Sequence, residues 1–500
     1  MANLQGIIKS IRDIMREDKG VNGDAQRIEQ LGWMLFLKIF DDKDQEMELL
    51  VDGYVSPIPT DFQWRNWAAD SEGMTGDVLL EFVDRRLFPT LRELAHTASV
   101  GAANPRALLI QEVFEGNNNY MKSGTNLRKV CNKLAEIDFN SATERHLFGD
   151  LYENILRELQ SAGDSGEFYS PRAVTQFMTD IINPQLGEII YDPACGTGGF
   201  LTAAIEHLKQ QANNVADRQL IQKNVRGTEY KPLPFVLALT NLILHDVELP
   251  HIAYDDSLSR EYTSIRDRDR VDVILANPPF GGTVANGNEG NFPLTYRTKE
   301  SADLFLIQMI HLLKPGGRAA IVLPDGSLTG DGVKQRIREK LLTDCNLHTI
   351  VRLPNSVFKP YATVATNLLF FEKKQSVDLT QNAGPLFDTP KNHKMATQEV
   401  WYFQHIYPTG TKSYSKTNPI QLSEFDLEKD WWDNRVENEY AWRVSIDTIR
   451  ERGFDLDIKN PHRPVEEVEY DRDDILRKLE QNQSTIATIL SDLKQLSELV

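Results

Sequence analysis

Between about Gly166 and Lys374, short β-branched runs alternate with stretches long enough for helices, and this alternation restricts the fold more than any other feature of the chain. The runs fall at 189–191, 225–229, 271–276, 318–323, 347–353 and 366–372. Strands spaced by helical crossovers form an α/β fold, here a parallel sheet covered by helices on both faces. Ligands in such sheets bind beyond the carboxyl ends of the strands, so the loops directly after these runs are where chemistry is expected.

The flanks differ. Up to about Leu159 the pattern is helical: Leu31, Leu35, Phe36, Ile39 and Phe40 share one helix face, Gly20 to Asp24 read as the turn before it, and the two prolines in 56–60 mark a surface loop. At the other end Ile475, Leu479, Asn482, Ile486, Ile489, Leu493, Leu496 and Val500 alternate spacings of four and three, a heptad seam with one polar position that sets register. A chain of 500 residues exceeds what one core organises. The expected division is a helical domain at 1–159, an α/β domain at 160–430, a connecting region at 431–470 and a terminal coiled-coil-like helix at 471–500 that packs against partner helices.

With 41% hydrophobic and 26% charged residues the composition excludes fibrous, collagenous and wholly disordered classes. The start, MANLQGIIKS, lacks the features of a secretory signal, so no export is expected. The longest apolar stretch, 233–244, contains Pro234, Thr240 and Asn241 and is too short to span a bilayer, so it reads as a buried helix. Cys131, Cys195 and Cys345 are too scattered for a metal site or a disulfide framework, which fits a reducing cytoplasm.

Three loops carry the chemistry. Tyr191-Asp192-Pro193-Ala194-Cys195-Gly196-Thr197-Gly198-Gly199-Phe200 follows a strand and opens a helix; its glycines let backbone approach a ligand, and Asp192 can face an ammonium group. No lysine follows these glycines, as a phosphate-binding loop would require. Glu229 ends the next run, where a carboxylate accepts hydrogen bonds from ribose hydroxyls, and Asp256 is placed to accept from an amino group on a base. Last comes Asn277-Pro278-Pro279-Phe280. Two successive prolines hold the chain extended and aim the Asn277 side chain and the Pro278 carbonyl at one point. Two such acceptors receive both hydrogens of an aromatic amine and draw its delocalised nitrogen toward tetrahedral geometry, with no strong base needed. Phe280 then offers a stacking platform to a base extruded from a duplex.

Together these loops resemble the amino-methyltransferases in their gamma order, cofactor motif before catalytic motif. Gly166-Glu167-Phe168-Tyr169-Ser170-Pro171-Arg172 is similar to the segment that wraps the methionine end of the cofactor in type I modification subunits, although that family usually has threonine at the position of Ser170. Lys314-Pro315-Gly316-Gly317-Arg318 leading to Leu323-Pro324, then Leu353-Pro354, Val357-Phe358, Trp442-Arg443-Val444-Ser445 and Asn460-Pro461-His462, complete the family's pattern. The resemblance covers nearly the whole chain. It implies a Rossmann-like domain that methylates N6 of adenine in double-stranded DNA with S-adenosyl-L-methionine and no metal. Glu167 to Arg172, Asp192, Gly196 to Gly199, Glu229 and Asp256 would hold the cofactor, and Asn277 to Phe280 the target. It also implies a cytoplasmic complex, without a membrane, of two copies of this chain with one specificity subunit, joined by a restriction subunit. The formal charge of -18 agrees with a partner supplying the phosphate contacts.

Methylation of a protein glutamine or an RNA base, and a non-catalytic cofactor-binding scaffold, are the competing readings. The glycine-rich segment 281–299 is expected to be mobile and to order over the extruded base. Arg260, Arg266, Arg268 and Arg270 are either phosphate contacts or a solvated charged loop, and Trp431 and Trp432 are expected to be packing residues.

Overall fold

The computed structural model describes residues 4–97, 104–140, 152, 169–280, 284, 287–359, 365–375, 395–415, 417–463 and 483. Glu167, Phe168 and nearly all of the heptad segment lie outside the described residues. By contacts the chain forms two compact units, Met1–Lys459 and Asn460–Val500.

Among the described residues the first unit is built on a nine-stranded sheet. In chain order the strands are β1 (Ile190–Asp192), β2 (Val225–Glu229), β3 (His251–Tyr254), β4 (Val271–Ala276), β5 (Leu313–Pro324), β6 (Cys345–Leu353), β7 (Thr366–Lys373), β8 (Glu399–Gln404) and β9 (Ala441–Ser445). Across the sheet they run β3-β2-β1-β4-β5-β7-β6-β8-β9. Ile190 stands beside both Val225 and Val273, so the strand order reverses between β1 and β4. A crevice opens at the carboxyl ends of such strands because the loops on either side leave in opposite directions.

The expected all-parallel sheet needs correction. Strand β7 runs antiparallel to β5 and β6, and β9 antiparallel to β8. A parallel return requires a long crossover; the chain instead turns at Pro354–Lys359 and comes back so that Leu353 pairs with Thr366. Strands β3, β8 and β9 are additions to the six expected.

Alternation along the strands divides the core. Val273, Leu275, Ala320 and Val322 belong to one buried cluster, and Ile274, Ala276, Ala319 and Ile321 to the other, so both faces of the sheet are covered as expected. On the first face lies the helix Pro232–Leu244, whose residues from Leu233 onward are all buried. The long helix Gly23–Leu50 packs over it: a Cβ added at Gly32 would lie 3.7 Å from Val236 and 3.8 Å from Leu237. Leu31, Leu35, Phe36, Ile39 and Phe40 are buried, but so is every residue from Gln30 to Asp42, so the middle of this helix is covered all round and not on one face alone.

Buried charge ties the helical region together. Arg128 donates to the carbonyls of Trp67, Ala68, Asp70 and Met74, and Asp18 accepts from the N–H groups of Gly20, Lys122 and Ser123. The stretch 56–60 is only partly a surface loop. Ser56 and Ile58 are buried, because the Ser56 hydroxyl bonds to buried Asp44 and draws the chain inward.

Candidate active site

The loops that carry Asp192, Glu229, Asp256 and Asn277 leave the carboxyl ends of β1 to β4, while Ser170 precedes the helix Arg172–Ile182. The loop after β1 curls back on itself: Ala194 N–H donates to Asp192 at 3.0 Å, and Gly196 N–H reaches across to Glu229 at 2.9 Å. Glycine is required at position 198, where φ is +80° and a Cβ would come 3.1 Å from Leu242. Asn241, from the buried helix, donates to the Thr197 carbonyl at 3.0 Å and fixes the crown of the turn. After β2, Glu229 accepts also from Lys231 N–H at 2.8 Å.

These carboxylates are short of water. Burial pushes Asp192 up to about 8, opposed by the Ala194 N–H and reinforced by the charge of Glu229. Burial likewise pushes Glu229 up to about 7 against the hydrogen bonds from Lys231 and Gly196. A carboxylate in that state gains from a cationic or hydroxyl-bearing ligand that restores its solvation.

Across the reversal, β4 delivers Asn277. Its Nδ2 donates to Ser170 Oγ at 2.9 Å, while its Oδ1 is buried with no hydrogen-bond partner among the described residues. An unmatched buried amide oxygen is costly unless a ligand supplies the donor. Pro279 is held by the Ser301 hydroxyl, which donates to its carbonyl at 2.9 Å, and Phe280 meets Phe358 edge to face at 6.0 Å.

One cavity gathers much of this set: Ser170, Asp192, Gly196, Gly199, Glu229, Asp256, Asn277 and Pro279 line it. Tyr169, Pro171 and Arg172 line a neighbouring cleft, while Thr197, like Tyr169 and Arg172, borders a smaller recess that shares Ser170 and Gly199 with the cavity. Gly198, Pro278 and Phe280 do not line the cavity itself. Asp256 is turned partly to its own loop, accepting from Leu258 N–H at 2.9 Å and from Asn288 at 2.7 Å. Asn291 donates to the Leu258 and Ser259 carbonyls, so the described part of 281–299 folds against the Asp256 loop.

Sequence reasoning passed over Ser257, Ser301 and Phe305, which also line the cavity. Ser257 was within reach, standing next to Asp256 and donating to Pro193 at 2.6 Å. Nothing local marks Ser301 and Phe305, which arrive on the helix Ser301–Leu312. Arg260 and Arg270 pair with Asp269 and Asp267, as a solvated charged loop would. Trp431 is buried, and Trp432 packs on Phe370 at 4.9 Å.

This is the architecture of a Rossmann-like methyltransferase domain. Residues 143–470 match the family model N-6 DNA Methylase, and residues 4–134 match the HsdM N-terminal domain. The chain is 50% identical to the type I restriction enzyme EcoEI methylase subunit of Escherichia coli, over 99% of this chain and 97% of that one. It is 29% identical to the EcoKI methylase subunit of Escherichia coli strain K12, over 79% of this chain and 69% of that one. Among solved structures, the modification subunit of a type I restriction enzyme from Vibrio vulnificus YJ016 superposes with a TM-score of 0.77 at 43% identity, covering 92% of this chain and 97% of that one. A structure describing complex assembly of the type I R-M system gives 0.78 at 33% identity, covering 99% and 98%. The chain belongs to the family of type I restriction enzyme methylase subunits, and its catalytic domain is an adenine-specific N-6 DNA methyltransferase.

Proposed function

We propose that this chain, as the modification subunit of a cytoplasmic type I complex, transfers a methyl group from S-adenosyl-L-methionine to N6 of an adenine extruded from double-stranded DNA, and so protects host DNA from restriction. The observation that carries the proposal is Asn277, whose Oδ1 is buried with no hydrogen-bond partner among the described residues, on the wall of the cavity that Asp192, Glu229 and Asp256 also line.

The residues fit such a cofactor. Asp192 would face its ammonium, Glu229 its ribose hydroxyls and Asp256 its adenine amino group, with the backbone of Gly196 to Gly199 lying close enough to exclude water. Tyr169 to Arg172, with Glu167 and Phe168 before them, would close over its methionine end. When bound, the cofactor supplies an electrophilic methyl on a sulfonium. The protein's part is orientation. Asn277 Oδ1 and the Pro278 carbonyl accept the two amino hydrogens, Ser170 keeps the Asn277 oxygen facing inward, and Phe280 supports the base. As the nitrogen took the methyl and the electrons of the broken C–S bond stayed on sulfur, the now cationic amine would release one proton to water, with no strong base required.

With a charge of -18, the chain fits an assembly in which a specificity subunit brings the phosphate contacts and reads sequence. Two copies of this chain would flank that subunit, each terminal helix 471–500 packing against partner helices, and a restriction subunit would join them. In this reading 1–159 is the helical domain and 160–430 the methyltransferase domain, and 431–470, expected as a connection, adds β9 to that domain's sheet.

Labelled cofactor tests the proposal. The chain is incubated with DNA, with and without the specificity subunit; label is expected on N6 of adenine, and Asn277→Ala should abolish transfer while cofactor binding persists. Label in protein or RNA instead of DNA would overturn it.

A further inference from the structure

Behind the turn that carries Phe358 lies a polar cluster of side chains outside the cavity. His405 and Glu428 are both buried, with Nδ1 and Oε1 2.6 Å apart, and the second Glu428 oxygen has no hydrogen-bond partner among the described residues. The other ring nitrogen of His405 is 3.4 Å from the Tyr414 hydroxyl, which donates to Glu424 at 2.5 Å. The Tyr414 N–H donates to Ser356 Oγ at 2.8 Å, and that oxygen is also 2.8 Å from the Tyr407 hydroxyl. Ser356 and Phe358 occupy one turn, closed by Val357 N–H to the Pro354 carbonyl and Lys359 N–H to the Ser356 carbonyl. The far end of this relay is the edge-to-face contact between Phe358 and Phe280.

The same cluster reaches the other wall of the site. Phe425 lies 4.7 Å from the His405 ring and stacks on Phe177 at 4.2 Å with planes 8° apart. Phe177 belongs to the helix Arg172–Ile182, which begins two residues after Ser170, the partner of Asn277.

Buried ionisable groups are a poor way to gain stability, since well-packed apolar side chains fill such a space at less cost. What they provide is direction: apart from the second Glu428 oxygen, the polar groups named here are bonded in one arrangement of the 405–428 segment against the Pro354–Lys359 turn. We infer that Ser356 and Tyr414, fixed by His405, Glu424 and Glu428, are positioning residues for methyl transfer, holding Phe358 against Phe280 so that the base platform is set before DNA arrives. The inference rests on Phe280 being that platform.

The test uses the complex with its specificity subunit and a duplex carrying the recognised site, with 2-aminopurine replacing the target adenine to report extrusion by fluorescence. Ser356→Ala is expected to lower the fluorescence gain, and kcat on the unmodified duplex by about tenfold, while the KM for cofactor stays at the wild-type value. Ser356→Thr, which keeps the hydroxyl, is expected to recover most of both. Tyr414→Phe frees the ring from Glu424 and His405 and is expected to give a smaller loss in the same direction; it carries the test if Ser356→Ala does not assemble. Wild-type fluorescence and kcat in Ser356→Ala and Tyr414→Phe would overturn the inference, as would a loss of cofactor affinity parallel to a fall in Tm. Phe280→Ala is run beside them. If it alone is impaired, only the inference fails; if it too behaves as wild type, the platform reading fails first.

Discussion

Asn277 and Ser170, 107 residues apart in sequence, share a hydrogen bond of 2.9 Å in which the Asn277 amide nitrogen donates to the serine hydroxyl. Ser170→Ala removes the acceptor and lets the amide rotate, so kcat is expected to fall by about tenfold, the equivalent of about 1.4 kcal/mol. The KM for DNA should change little, and Ser170→Thr should behave as wild type. Steady-state kinetics of the assembled complex check this; an unchanged kcat in Ser170→Ala would mean that the amide is oriented by something else.

Glu229 predicts a pH dependence. Its carboxyl lies at about 7 in the folded chain against an ordinary 4.5. The folded state therefore holds a proton that the unfolded chain has released across that window, and stability falls as pH rises through it. Glu229→Gln cannot lose this proton. Relative to wild type, its stability is expected to gain roughly 2 kcal/mol as the buffer moves from about pH 5.5 to about pH 8, with a matching rise in relative Tm. Thermal melts of both proteins without cofactor measure the difference; parallel curves would refute the role given to burial.

Gly227, in the middle of β2, leaves no room for a side chain. A Cβ there would approach Leu201 to 2.8 Å and Cys195 to 3.1 Å. Gly227→Ala is expected to cost about 1–3 kcal/mol through overpacking, and to weaken cofactor binding further because Cys195 belongs to the glycine-rich loop. Calorimetric titration beside denaturant unfolding separates the two effects.

How much of this was readable in advance follows from how local each signal is. Asn277 to Phe280 stood out because a strand followed by two prolines constrains its own geometry, and Asp192 and Glu229 each closed a run that also formed a strand. Strand β3 was missed because it has four residues at a sheet edge, two of them exposed. Strand β8 is marked locally by the strand formers Val400 to Phe403; what no local pattern encodes is its pairing with β6 and with β9 across long separations. The reversed direction of β7 has the same origin. Ser301 and Phe305 enter the cavity only through the way their helix docks, so no spacing in the sequence marks them.

Arg106 joins the helical region to the sheet. It lies over the Phe40 ring at 4.2 Å, pairs with buried Asp44 at 2.6 Å and donates to the Glu248 carbonyl at 3.0 Å. Arg106→Met leaves Asp44 buried without its cation and is expected to cost about 3–5 kcal/mol, seen as a lower denaturation midpoint. A variant as stable as wild type would mean that Tyr54 and Ser56, which also bond Asp44, suffice.

The helix Pro232–Leu244 has no water-facing side of its own, since Gly23–Leu50 lies over what the sheet leaves open. A truncation that keeps only the catalytic half would lay bare a greasy ridge bordering the glycine-rich loop, where Asn241 grips Thr197. Such a fragment would aggregate or lose that grip, which makes the helical half a structural wall of the enzyme and not an accessory that can be cut away.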